Sequence, residues 1–205
     1  MTLFGRKPRV SLGIIGTAGR GSDRPRLSMN TFSRMVHKAE EVANQVNAVM
    51  LVSGGAAWAD HVAVYLALHG PFAPRVLTLH LPGPIENGEL GGLGGATFTG
   101  SDGPTATHYH QAFRRNTGID GLKDIYTVQQ NGAICTVSRG FLARNARVAN
   151  DSSVLLAFTF GKGPPWQPQT FSRGTTAQAA GLKDGGTART WNASKASVKI
   201  HIPLE

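Results

Sequence analysis

Residues 10–22 read VSLGIIGTAGRGS, a short apolar run that is followed at once by a glycine-rich turn. Such a run bounded by glycine is typical of a buried strand. Downstream, Asn30 is the predicted N-cap of a helix, residues 49–52 form a second apolar strand, and a further helix and strand are predicted over 58–68 and 75–81. This alternation of strands and helices predicts a parallel sheet with right-handed crossovers.

The rest of the chain continues the pattern without an internal repeat or a linker. The remaining predicted elements are helices over 104–116 and 140–150, strands over 154–158 and 198–202, a last helix that opens at 185–187, and long loops over 83–103 and 159–184. We therefore expect one α/β domain over residues 1–205, with a mainly parallel sheet flanked by helices.

Composition limits the function classes. A hydrophobic fraction of 40% with only 16% charged residues excludes a disordered chain. The formal net charge of +9 favours anionic partners such as phosphates or nucleic acid. No run of about eighteen apolar residues occurs, so we expect no membrane partner. Cys135 is the single cysteine, which excludes an intrachain disulfide and favours the reducing cytoplasm.

Three glycine-rich turns follow predicted strands and precede or enter helices. They are residues 16–22 (GTAGRGS), 53–56 (SGGA) and 185–187 (GGT). Because the carboxyl ends of parallel strands share one edge of the sheet, these turns can converge there. Glycine permits close approach of the backbone, and helix N-termini present free N–H groups to anions. The turns predict a phosphate-binding rim, unless they only change the direction of the chain.

Several familiar motifs are excluded. The first turn lacks the lysine of a Walker A loop after Gly21, and Arg24 stands where the dinucleotide fingerprint needs glycine. His108 and His110 have a strand-like spacing but no third ligand, so no metal is expected, and no cofactor either. Ser53 lacks the serine-hydrolase elbow. Cys135 lies in an apolar stretch that predicts a buried, unreactive thiol.

Polar side chains near the turns are the other candidates. Arg144 and Asn145 begin a predicted helix, where an arginine fork suits phosphate and the amide suits a base or a ribose. The alternative is a salt bridge between Arg147 and Asp151. Asp60 lies one helical turn beyond the second glycine turn and can face a ribose, or it can be a charge near a helix N-terminus.

Four blocks of the sequence resemble the SLOG superfamily: GTAGRGS at 16–22, SGGAAWAD at 53–60, RNAR at 144–147 followed by Asp151, and GGT at 185–187 up to Thr190. That superfamily gathers Rossmann-like domains such as the DNA-processing protein DprA, the LOG phosphoribohydrolases and nucleotide-signal sensors. The resemblance implies a Rossmann-like fold that binds a nucleotide or a nucleotide-derived small molecule at the carboxyl edge of its sheet. The ligand-binding residues that we predict are Gly16, Thr17, Gly19, Arg20, Ser22, Ser53, Gly54, Gly55, Ala56, Asp60, Arg144, Asn145, Gly185, Gly186, Thr187 and Thr190.

One departure from the superfamily bears on activity. LOG enzymes carry a PGGxGTxxE motif, and Thr190 stands where its glutamate falls. Cleavage of an N-glycosidic bond needs a carboxylate, which here only Asp60 or Asp23 supplies. We expect a homo-oligomeric SLOG-type sensor or carrier. The alternatives are DprA-like binding of single-stranded DNA and hydrolysis of nucleotide N-glycosidic bonds.

Overall fold

A seven-stranded sheet organises the chain, whose residues 9–87, 95–183 and 185–205 are described by the computed structural model. The strands in chain order are β1 (Val10–Gly16), β2 (Ala48–Ser53), β3 (Leu77–Leu81), β4 (Ile85–Asn87), β5 (Ala96–Phe98), β6 (Ile134–Val137), β7 (Val154–Thr159), β8 (Gln169–Ser172) and β9 (Val198–Pro203). The sheet order is β6-β3-β2-β1-β7-β9-β8, parallel throughout except for β8, which runs antiparallel to β9. The predicted α/β class is confirmed.

Helices cover both faces of this sheet. They are α1 (Met29–Gln45), α2 (His61–His69), α3 (Gly103–Thr117), α4 (Gly121–Gln130), α5 (Phe141–Asp151) and α6 (Gly186–Ala193). Helices α1 to α4 pack with one another on one face, and α5 packs with α6 on the other. Successive side chains of β1 point to opposite faces of the sheet. Ile14 packs in the core on the first face, and Ile15 packs in the core on the second.

Helix α1 shows how the sequence specifies these elements. Phe32, Met35 and Val42 on its predicted apolar face are fully buried, as the helical period predicts. The helix begins two residues earlier than expected, since Ser28 is the N-cap instead of Asn30. The Ser28 hydroxyl accepts a hydrogen bond from the Thr31 N–H at 3.3 Å, which satisfies a donor that the helix leaves open.

The predicted loops contain further elements. Strands β4 and β5 pair as an antiparallel hairpin inside 83–103, although residues 88–94 of that stretch lie outside the described ranges. Strand β8 lies inside 159–184. Helix α4 and strand β6 occupy a segment with no predicted element, and His108 and His110 lie on helix α3 and not on a strand. These strands have only three or four residues, too few for a readable period.

Within the described ranges, no helix combines the length and the apolar character needed to cross a membrane.

Candidate functional site

A cavity of about 210 Å³ opens at the carboxyl end of β1, on the sheet face covered by α5 and α6. Strand β1 has β2 on one side and β7 on the other, so the chain order of the sheet reverses at this point. In open α/β sheets, ligands bind in the crevice at such a reversal. The cavity is lined by Ile15, Gly16, Thr17, Ala18, Arg20, Asp23, Asp60, Phe141, Arg144, Asn145, Val148, Lys183, Gly185, Gly186, Thr187 and Thr190.

Gly16, at the start of the first glycine turn, contacts strand β7 and helix α6. A Cβ at this position would lie 2.1 Å from the carbonyl oxygen of Phe158, so only glycine allows strand β7 to approach this closely. The next residue, Thr17, donates its N–H to the same oxygen at 2.9 Å. The hydroxyl of Thr187 donates to the Gly16 carbonyl at 2.8 Å. The first and third predicted turns are therefore in direct contact.

Helix α6 directs its open end at the cavity. The first backbone bond of this helix runs from the N–H of Arg189 to the carbonyl of Gly185 at 3.1 Å. The N–H groups of Gly186, Thr187 and Ala188 therefore have no acceptor within the helix. Gly185 has no side chain to cap them, and a Cβ built there would meet nothing within 4 Å. These donors and the helix dipole attract an anion.

The second glycine turn lies outside the cavity lining and positions Asp60. Ser53, Gly54, Gly55 and Ala56 are absent from the lining of this cavity, as are Gly19 and Ser22 of the first turn. The Ser53 hydroxyl donates to the backbone carbonyl of Asp60 at 2.8 Å. The Ala56 N–H donates to the Asp60 carboxylate at 3.4 Å. The turn thus fixes the position of Asp60, whose side chain does reach the cavity.

Arg144 and Asn145 link the second turn to helix α6. The Nε and Nη2 atoms of Arg144 donate to Oδ1 of Asn145 at 3.1 and 2.7 Å, and Nη1 donates to the Gly54 carbonyl at 3.0 Å. The Nδ2 of Asn145 donates to the Gly186 carbonyl at 3.3 Å. The predicted phosphate fork is thus already engaged by the protein, and Arg144 positions the cavity walls.

Helix α5 does not form the salt bridge that the sequence offered as an alternative. Arg147 is exposed and does not line the cavity. Asp151 instead places Oδ2 at 2.8 Å from Nε2 of His80 on β3.

Asp60 and Arg144 form a buried pair of opposite charge. Their Oδ2 and Nη1 atoms are 3.8 Å apart. Burial raises the pKa of the Asp60 carboxyl, and the Arg144 charge opposes this shift. Burial lowers the pKa of Arg144, and the Asp60 charge opposes this shift. Because the two charges offset each other, this pair adds little net field to the cavity.

Lys183 brings an ammonium group to the opposite wall. Its Nζ donates to Oδ1 of Asp23 at 2.7 Å and to the Ser22 hydroxyl at 3.1 Å. The hydroxyl of Thr17 donates to Oδ2 of Asp23 at 2.8 Å, so both carboxylate oxygens of Asp23 are engaged. The Lys183 side chain is about half exposed and can turn toward a ligand.

Sequence reasoning missed Lys183 and the residues of α5 that line the cavity, Phe141 and Val148. The signal for Lys183 is weak, because a single lysine before a glycine turn is common on surfaces. The signal for Phe141 was stronger, since an aromatic residue at the start of a helix precedes Arg144 by three positions and shares its helix face.

Metal and thiol chemistry have little support. In the described residues, no group of three His, Cys, Asp or Glu side chains could hold a metal ion. Cys135 lies on the edge strand β6 and is half-buried, which is more exposed than predicted. Burial raises the pKa of its thiol to about 11, so it remains protonated near neutral pH and is a poor nucleophile.

The fold and the cavity together define a Rossmann-like α/β protein with a polar cavity at the carboxyl edge of its sheet. The chain is 30% identical to the uncharacterized protein R261 of Acanthamoeba polyphaga mimivirus, over 96% of this chain and 97% of the viral one. It belongs to the same family as that viral protein. No family model matches the chain. No solved structure matches it.

Proposed function

We propose that the protein binds a nucleotide or a nucleotide-derived small molecule in the cavity at the end of β1, as a sensor or carrier. One observation carries the proposal: the open N-terminus of α6, the first glycine turn and the ammonium of Lys183 all border the same cavity. Backbone N–H groups that have no acceptor within their own helix, beside an exposed cation, are the features that bind a phosphate group. The resemblance to the SLOG superfamily favours the same class of ligand.

The size of the cavity favours a small anionic group. Its volume of about 210 Å³ lies below the roughly 300–1,000 Å³ of pockets that enclose drug-sized ligands. A phosphate with its sugar suits this space, whereas the remainder of a nucleotide must extend to the mouth.

Binding is favoured over hydrolysis because the polar side chains that could take part in cleavage are already hydrogen-bonded within the protein. The Thr190 hydroxyl, at the position of the LOG glutamate, donates to the Gly186 carbonyl at 2.9 Å. Both carboxylate candidates, Asp60 and Asp23, already accept hydrogen bonds from the protein. We therefore place neither acid in a catalytic role.

Calorimetric titration tests this proposal. The ligands are ribose 5-phosphate, AMP, ADP-ribose and cyclic dinucleotides. Replacing Lys183 by Met should weaken binding by about 1–3 kcal/mol, the range for a charge-assisted hydrogen bond. The matched control is Lys195→Met, because Lys195 is exposed and lies outside the cavity lining. Absence of binding by the native protein, or equal losses in both variants, would contradict the proposal.

A second candidate is the binding of single-stranded nucleic acid, which arginine–aromatic stacks favour. The Arg26 Cζ lies 3.9 Å from the ring centroid of Phe160, and the Arg34 Cζ lies 4.1 Å from that of Trp166. Arginine planes and aromatic rings bind unstacked bases. If this candidate holds, an oligothymidylate should bind in a salt-dependent way, and replacing Arg26 and Arg34 by Ala should weaken it. Unchanged binding in that variant would remove the candidate.

A further inference from the structure

Arg20 lines the cavity and lies near two aromatic rings, that of Phe141, which also lines the cavity, and that of Tyr109, which does not. The Arg20 Cζ lies 4.9 Å from the ring centroid of Tyr109 and 5.2 Å from that of Phe141. Phe141 is half-buried and forms part of the cavity wall, and Arg144 lies 5.6 Å from its ring. Arg20 is exposed. Three elements contribute to this cluster, namely the first glycine turn, α3 and α5.

We propose that Phe141, Arg20 and Tyr109 form a stacking subsite for the heteroaromatic base of the ligand. This inference rests on the proposed function, and it narrows the ligand class to nucleotides in which a base adjoins a sugar phosphate. A phosphate held at the N-terminus of α6 fills the inner part of the cavity, so the base must lie at the mouth, where Phe141 and Arg20 are found.

The chemistry of the cluster suits a base better than a second phosphate. Every nucleobase has a π-face that stacks on aromatic rings and on guanidinium planes. A second phosphate would gain from the charge of Arg20 but nothing from the rings of Phe141 and Tyr109. In the bound state the base lies on the ring of Phe141, and the Arg20 guanidinium covers its outer face. The Arg20 Cζ must then lie about 7 Å from the Phe141 ring, which is two stacking distances. It now lies 5.2 Å from the ring centroid, so a shift of about 2 Å suffices, and the exposure of Arg20 permits it.

The test compares ligands with and without the base on the same variants. Affinities for AMP and for ribose 5-phosphate are measured by calorimetry on the native protein and on Phe141→Leu and Arg20→Lys. Leu keeps an apolar side chain while it removes the ring, and Lys keeps the charge while it removes the planar group. The matched control is Arg34→Lys, which disrupts a stack on Trp166 outside the cavity lining.

We expect AMP to bind the native protein at least about ten-fold more tightly than ribose 5-phosphate. Phe141→Leu and Arg20→Lys should each lose about ten-fold in AMP affinity, while ribose 5-phosphate changes by less than about two-fold. Retained binding of ribose 5-phosphate also shows that the variants fold.

Other results overturn the subsite. If AMP and ribose 5-phosphate bind the native protein equally, the base makes no contact, and only the proposed function survives. If a variant weakens both ligands equally, its side chain supports the cavity and does not stack on the base. If neither ligand binds the native protein, the subsite fails, and the proposed function fails with it only when ADP-ribose and the cyclic dinucleotides do not bind either.

Discussion

The ammonium of Lys183 lies 2.7 Å from the carboxylate of Asp23, a residue 160 positions earlier in the chain. This contact joins the 3₁₀ turn at Gly21–Arg26 to the segment that leads into α6. Both side chains line the cavity. Under the proposed function, Asp23 and the phosphate of the ligand compete for the same cation, so Asp23 opposes the binding of that anion.

Removing the charge of Asp23 should tighten the binding of phosphate ligands. In Asp23→Asn the Lys183 ammonium loses its ionic partner, and the cavity loses one negative charge. We expect ribose 5-phosphate to bind more tightly by about 0.3–1 kcal/mol, an effect that shrinks at high salt. Calorimetry at two salt concentrations measures this, with the exposed Glu86→Gln as the matched control. Weaker binding in Asp23→Asn would instead place Asp23 in contact with the ligand.

Replacing Gly16 should destabilise the whole domain. The Cβ of Ala at this position would lie 2.1 Å from the Phe158 carbonyl oxygen and 2.7 Å from the Cβ of Ala59, which forces β1 and β7 apart. We expect Gly16→Ala to lower the free energy of unfolding by about 3 kcal/mol or more, as backbone clashes in a packed core do. Urea denaturation measures the change. Gly174→Ala is the control, because a Cβ there meets nothing within 4 Å. Equal stability of the two variants would refute the predicted clash.

His110 should make the protein sensitive to acid. Its ring is fully buried, and burial together with the neighbouring His61 lowers the pKa of His110 to about 3, while its Nε2 donates to the Gly55 carbonyl at 3.1 Å. Between the ordinary pKa of about 6.5 and this value, the unfolded chain binds a proton that the native protein does not. The free energy of unfolding therefore falls as the pH falls through this window, by about 1.4 kcal/mol per pH unit.

The His110→Gln variant isolates this contribution, since a glutamine amide can still donate to Gly55. Between pH 7 and pH 5 it should lose about 2 kcal/mol less stability than the native protein does. Urea denaturation at several pH values gives the slopes. His37→Gln serves as the control because His37 is exposed on α1. Parallel slopes for the native protein and His110→Gln would show that His110 does not contribute.

Release of the base from nucleoside monophosphates should be slow or absent. Thr190 stands where the LOG enzymes carry their glutamate, and Asp60 already accepts the Ala56 N–H and lies beside Arg144. Chromatography of AMP incubated with the protein measures the release. Turnover near the typical enzyme value of about 10 s⁻¹, lost in Asp60→Asn, would make Asp60 a catalytic residue and the protein a hydrolase.

The sequence predicted the central sheet because strands buried on both faces read as continuous apolar runs. It did not predict the sheet edges. Strand β6 is a short edge strand with Ile134 and Val137 exposed, and its apolar stretch predicted a buried thiol but no strand. Strand β8 lies in a stretch rich in Pro and Gly and does not show the pattern of a buried strand. The candidate site was also predicted only in part. Glycine turns are visible in a sequence, whereas the contact of Lys183 with Asp23 depends on chain segments that only the folded sheet brings together.

The hydrogen bond from Thr187 to the Gly16 carbonyl has a practical consequence. The cavity needs both β1 and α6 in place, so a fragment that lacks either element cannot form it. Any molecule that occupies the cavity binds the native protein and not the unfolded chain. It therefore raises the melting temperature of the entire domain. A thermal-shift screen of metabolites therefore needs no prior choice of chemistry, and a ligand present at about one hundred times its Kd adds about 2.7 kcal/mol of stability.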